Sequence, residues 1–183
     1  RKSKGFKIIQ PQNTAEQAGD EPLQFKRKFP EILVTVCENR TFGIPEIMKF
    51  HPETQVVLLD DAFQHRSVKP GLNILLTEFH YPFTKDFLLP SGRLREWRSA
   101  YQRADVIIIS KCPEDITEEE KAKMISEIKP FPHQQIFFSY YHYLQPYYIL
   151  NSNYVTDLKE DWDVLLICAI ARMEYLEDYL ESK

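Results

Sequence analysis

Short apolar runs recur along the chain at intervals too wide for tight hairpins. Residues 32–36 (ILVTV), 56–59 (VVLL), 72–77 (LNILLT) and 106–110 (VIIIS) are continuous and rich in branched side chains, as befits strands buried on both faces. Between them, residues 44–50 read as a short helix entered at Pro45, and Lys69-Pro70-Gly71 as a turn. Thr117 with Glu120 three residues on forms a capping-box signature for a helix running to about residue 128, ahead of Pro130. Strands separated by helices or long crossovers predict an α/β fold with a mostly parallel sheet flanked by helices.

Other stretches break this rhythm. Residues 10–21 are polar and read as a loop closing on the GDEP turn at 19–22, and residues 80–89 as an irregular, lid-like segment. Residues 135–150 (QIFFSYYHYLQPYYIL) alternate aromatic and polar positions, which fits an amphipathic β-ribbon or an aromatic lipid-facing belt. A polar linker follows at 151–161, then a strand pattern at 162–167 (WDVLLI) and a helical one at 174–181. The expected organisation is a partial core over 1–134, a β-ribbon linker over 135–157 and the start of a second α/β domain over 158–183. The opening RKSKGFKII has no initiator Met, so a longer protein is expected around this chain.

Candidate chemistry gathers where the apolar runs end. Residues 56–59 stop at Asp60 and Asp61, followed at once by Gln64, His65 and Arg66. Ligands of open α/β sheets sit beyond the carboxyl ends of the strands, and paired carboxylates there suit a hard cation and its phosphates, as in a Walker B strand. The same letters also fit a strand that runs into a polar turn. The run 32–36 leads to Cys37, Glu38, Asn39 and Arg40, again placing a cation near a strand end. Arg93, Arg95 and Glu96 crowd one short segment, where a solvated helix start with i,i+3 charge pairs is the plainer reading. Carboxylates, guanidiniums and an imidazole together supply what phosphoryl transfer needs: charge neutralisation and a positioned acceptor.

Composition narrows the field. The 183 residues carry a net charge of −4, which argues against general nucleic-acid binding, and 13% aromatics with few glycines argue for a packed chain. Cys37, Cys112 and Cys168 are widely spaced, with no C-x-x-C pair, and read as reduced thiols. No run approaches the roughly 18 apolar residues of a membrane span, so membrane contact would be peripheral. Lysines and arginines near the start, and again at 26–28, suit either plain solvation or anionic headgroups. The phosphate-cradling pattern G-x-x-x-x-G-K-S/T does not occur in this sequence.

DDAFQHR at 60–66, LLPSGRLRE at 88–96 and RADVIIISKCP at 103–113, with GDEP and KRKFP upstream, resemble the tetraacyldisaccharide 4'-kinase family of the lipid A pathway. The resemblance runs from about residue 1 to about residue 171. It implies a P-loop-kinase-like fold, and ATP-dependent phosphorylation of the 4'-hydroxyl of tetraacyldisaccharide 1-phosphate with Mg²⁺ at the cytoplasmic face of the bacterial inner membrane. It further implies that Asp60, Asp61 and Glu96 hold the metal and that Gln64 and His65 lie by the nucleotide. Asn39, Arg40 and Arg95 would meet the glycolipid, and Asp20 with Asp61 would act in catalysis. Ala62 and Arg93 replace a usual Gly and Pro, and CAIARM at 168–173 stands where the family has TGIA-x-P. On this reading the 183 residues alone are inactive. The alternatives are a noncatalytic α/β module binding a lipid or protein partner, or another P-loop NTPase.

Overall fold

The computed structural model describes residues 4–148, 151–159, 162–167 and 173–182. These fall into two compact units, Arg1–Ser139 and Tyr140–Lys183. The first contains β1 (Lys7–Ile8), α1 (Ala15–Ala18), α2 (Asp20–Lys28), β2 (Thr35–Val36), α3 (Arg40–Phe50), β3 (Ile74–Glu78), β4 (Val106–Ser110), α4 (Glu118–Ile128) and β5 (Gln135–Phe138). Two 3₁₀ turns, Phe83–Lys85 and Arg98–Arg103, lie between β3 and β4.

The expected α/β architecture is present as a three-stranded parallel sheet in the order β3-β4-β5, with Leu75 opposite Ile107 and Ile107 opposite Ile136. Alternation along β4 sends Ile107 and Ile109 into a core with Ala104, Cys112 and, from α4, Met124 and Ile128. Burying an isoleucine is worth about 1.5–3 kcal/mol, so this layer anchors the unit. Helix α4 starts as its sequence requires: the Thr117 hydroxyl accepts from the Glu120 amide while Glu120 accepts from the Thr117 amide. The opposite face of the sheet is open, with Leu76 65% and Phe137 52% exposed. A second cluster, Ile9, Ala18, Leu23 and Val34, packs around the antiparallel β1-β2 pair.

Several expected elements differ. Residues 56–59 form no strand: Val56 is 71% and Leu58 90% exposed, and neither sheet of the first unit includes them. An apolar run becomes a strand only beside a partner that pairs its amides and carbonyls, and β3 offers its one used edge to β4. In the run 32–36 only Thr35–Val36 pairs, and it pairs antiparallel with β1. The helix expected at 44–50 starts earlier, at Arg40, because Asn39 caps it: Asn39 Oδ1 accepts from the Thr41 and Phe42 amides at 3.0 and 3.4 Å. Pro45 consequently lies inside the helix instead of opening it.

The polar loop expected at 10–21 contains α1 and the start of α2, with Gly19 between them at φ 91, a conformation open mainly to glycine. Residues 135–138 join the parallel sheet as β5, so the ribbon begins later. In the second unit that ribbon is β6 (Tyr147–Tyr148) paired antiparallel with β7 (Asn151–Val155), Tyr148 meeting Tyr154 edge-on at 4.7 Å. The helix expected at 174–181 is present as α5 (Glu174–Glu181), with Tyr179 stacked on Tyr143 at 4.3 Å. Residues 162–167 form no strand, and Leu165 and Ile167 are exposed without a ladder to join. Cys168 and most of the CAIARM segment lie outside the described residues.

One tie within the first unit carries a pH signature. Glu127 on α4 accepts from the Thr84 hydroxyl and pairs with the Lys85 ammonium at 2.9 Å. The Thr84 hydrogen bond first, then Lys85, lowers the Glu127 pKa below its ordinary value. A lowered folded-state pKa stabilises above the unfolded value, and the benefit is lost as pH falls through the folded one. Glu127→Gln is therefore expected to cost about 0.5 kcal/mol in urea unfolding at pH 7, with the gap from wild type closing below about pH 4. A gap that persists unchanged at low pH would remove the charge from this account.

Candidate active site

The site is built on the segment that follows residues 56–59. Asp60 and Asp61 occupy a turn, and Asp61 has φ 44, a left-handed conformation that Asp and Asn tolerate better than most residues. The His65 amide donates to the Ala62 carbonyl at 2.8 Å and the Val68 amide to the His65 carbonyl at 3.3 Å, which closes the segment into successive turns. Gln64 and His65 stay exposed. Phe63 points inward against the Ile107 and Ile109 core and ties the turn to the sheet.

Facing this turn is the segment between the two 3₁₀ elements. Asp86 organises it: its carboxylate accepts from the amides of Phe87 at 2.8 Å and Arg93 at 3.1 Å, and from Arg93 Nε at 3.2 Å. Those backbone hydrogen bonds, led by the one from Phe87, hold the Asp86 pKa below the ordinary carboxylate value. Gly92 is required here, since a Cβ would collide with the Phe87 carbonyl and the Asp86 carboxylate. The Leu94 amide donates to the Phe87 carbonyl at 2.9 Å, so Arg95 and Glu96 emerge from a closed loop and not from the solvated helix start that local charge spacing suggests.

Two arginines join the segments. Arg95 Nη1 donates to Asp61 Oδ2 at 2.6 Å, with the side chains 58% and 67% exposed, and the Asp61 hydrogen bond pushes the Arg95 pKa further up. Behind that pair, Arg103 Nη2 donates to Glu96 Oε1 at 2.6 Å and to the Phe63 carbonyl at 3.0 Å. Arg103 opens the RADVIIISKCP motif, but nothing in that motif signals the contacts it makes. It stands just before the apolar run at 106–110, and its partners lie 7 and 40 residues away.

The other expected site residues sit elsewhere in the first unit. Asp20 is exposed at the start of α2. Asn39 is used as the cap of α3, and Arg40 Nη1 donates to the carbonyls of Cys37 at 2.8 Å and Glu38 at 3.2 Å. Among the described residues no hydrogen bond or ion pair joins these three to residues 60–66.

Nor does any group of three or more His, Cys, Asp or Glu side chains suited to a metal ion occur among the described residues. The expected trio Asp60, Asp61 and Glu96 forms no such group; Asp61 is paired with Arg95 and Glu96 with Arg103. Asp60 and Asp61 still fit Mg²⁺ by their chemistry. This ion commonly takes one or two carboxylates and completes its shell with water and substrate phosphate, and both side chains are exposed, with Arg95, a cation suited to phosphate, paired to Asp61. No helix among the described residues is long and apolar enough to cross a membrane.

Comparison with known proteins supplies the family. The family model described as Tetraacyldisaccharide-1-P 4'-kinase matches residues 1–183. The tetraacyldisaccharide 4'-kinase of Bacteroides thetaiotaomicron is 43% identical over 182 residues, covering 93% of this chain and 48% of its own length. That of Phocaeicola vulgatus is 41% identical over 176 residues, with the same two shares. The Flavobacterium johnsoniae protein of the same name is 40% identical over 183 residues, covering 100% of this chain and 54% of its own length. This chain thus spans about half the length of the curated relatives it matches. No solved structure matches. On a family match over residues 1–183 and relatives at these identities, the chain belongs to the tetraacyldisaccharide-1-P 4'-kinase family.

Proposed function

We propose that the complete protein transfers the γ-phosphoryl group of ATP to the 4'-hydroxyl of tetraacyldisaccharide 1-phosphate, giving lipid IVA, while resting on the cytoplasmic face of the bacterial inner membrane. The observation that carries this reading is the pairing of the DDAFQHR turn with the SGRLRE loop through Arg95 and Asp61. Two motifs 34 residues apart thereby place carboxylates and guanidinium in one patch, the charge pattern that phosphoryl transfer demands.

In this reading Asp60 and Asp61 hold Mg²⁺, which when bound supplies neutralisation of phosphate charge. Gln64 and His65, exposed on the same turn, contact the nucleotide. Arg95 holds phosphate once it leaves Asp61, Arg40 and Asn39 contribute to the glycolipid site, and Asp20 orients the attacking hydroxyl. Glu96 acts from behind the carboxylate pair.

The arginines offer the direct test. A planar guanidinium grips phosphate with two parallel hydrogen bonds, which an ammonium cannot copy. In the complete kinase, Arg40→Lys and Arg95→Lys are each expected to raise the KM for the glycolipid by about tenfold, roughly 1.4 kcal/mol, and the KM for ATP much less. Equal effects on both substrates would assign the arginines to the nucleotide instead.

A further inference from the structure

Arg103 touches three things with one guanidinium. Its Nη2 donates to Glu96 at 2.6 Å and to the Phe63 carbonyl at 3.0 Å, and its guanidinium carbon lies 4.6 Å from the centre of the Phe63 ring. The contact is sheltered, with Arg103 32% and Glu96 25% exposed, so water competes weakly for it. Phe63 packs on the core that contains Ile107 and Ile109 and stands two residues after Asp61. The Asp60-Asp61 turn is therefore pinned at its far end by Arg103, while Arg95 holds Asp61 itself.

Chemistry explains why this position takes arginine. Lysine carries one ammonium on a flexible stem and cannot stack its charge flat on a ring while donating along the ring's edge. Removing Arg103 would leave a part-buried carboxylate and a part-buried carbonyl without their charged donor, a cost that the turn escapes by loosening toward water. We propose that Arg103 is a positioning residue: it fixes the turn of residues 60–66 against Glu96 and so sets where Asp60, Asp61 and Arg95 present their charges. Its effect on turnover rests on the phosphoryl-transfer reading above, whereas its hold on the turn does not.

The test uses the complete kinase with Arg103→Gln, Arg103→Lys and Glu96→Gln, read by amide hydrogen exchange and by steady-state kinetics across a Mg²⁺ titration. In Arg103→Gln the His65 and Val68 amides should exchange about tenfold faster while the β4 amides keep their protection. Its kcat should fall about 10–100-fold, as expected for reacting groups displaced by about an ångström, with both KM values within about threefold and more Mg²⁺ needed for half-activity. Arg103→Lys should recover part of the kcat and part of the protection, and Glu96→Gln should loosen the same two amides. Unchanged exchange at His65 and Val68 would overturn the proposal. So would protection lost equally from β4, or a kcat loss that merely follows the unfolded fraction with unaltered Mg²⁺ dependence. Should Arg103→Gln fail to fold, the lysine and Glu96 variants decide by the same readouts. A wild-type protein that phosphorylates no glycolipid would defeat the proposed function, and the exchange measurements would still decide the role of Arg103.

Discussion

Asp61→Asn in the complete kinase is expected to lower turnover by about 10²–10³-fold, the usual loss when one charged group of a transition-state site is removed. Folding should survive. Asp61 is exposed in a left-handed turn that asparagine also adopts readily, so neither core packing nor backbone strain changes. What disappears is a negative charge that now holds Arg95 at 2.6 Å and that would hold Mg²⁺ in the reading proposed above. Circular dichroism should overlay wild type, and the Mg²⁺ concentration for half-activity should rise. A folded variant with wild-type turnover at low Mg²⁺ would remove Asp61 from the site.

Asp20→Ala is expected to reduce kcat by about 10²-fold, the contribution of a positioned base, with little change in the KM for ATP. The position makes this test clean. Asp20 opens α2 behind Gly19, and Pro22 falls in the first turn, where a missing amide hydrogen costs nothing. A merely structural Asp20 would contribute at most a favourable interaction with the helix dipole, about 0.3–1 kcal/mol of stability, and nothing to turnover. Glu21→Ala shares that dipole effect and serves as the control: it should leave kcat close to wild type. An Asp20→Ala enzyme keeping more than about a tenth of wild-type kcat falls short of general-base catalysis. A carboxylate acting as base needs a partner to orient it or raise its basicity.

Elements whose signals are self-contained were legible in the sequence. Helix α4 carries its own capping box, and β4 is one unbroken apolar run; both lie where the pattern puts them. Helix α2 escaped notice because Pro22 and a charged tail obscure it, and it buries only Leu23. Its acids in the first turn and Lys26, Arg27 and Lys28 in the last match the helix dipole and could have disclosed it. The run at 56–59 misled for the opposite reason. Its residues are apolar enough for a strand, but pairing is a property of neighbours, and no described ladder lies beside this run. The face bearing Leu76 and Phe137 likewise departs from the usual parallel sheet, which buries both faces.

The site divides along similar lines. Its motifs were legible as letters, and membership in a kinase family disfavours the noncatalytic module and the unrelated NTPase. Their contacts were not legible. Nothing in the local sequence pairs Arg95 with Asp61, or Arg103 with Glu96 and Phe63, because such contacts depend on how two loops meet above the sheet.

The central claim is tested most directly by incubating the complete protein with γ-labelled ATP, Mg²⁺ and tetraacyldisaccharide 1-phosphate, then locating the label in the lipid product. The account predicts label on the 4'-oxygen of the disaccharide, and its loss from the product in Asp61→Asn. ATP turnover that leaves the glycolipid unlabelled, or label at any other oxygen, would contradict it.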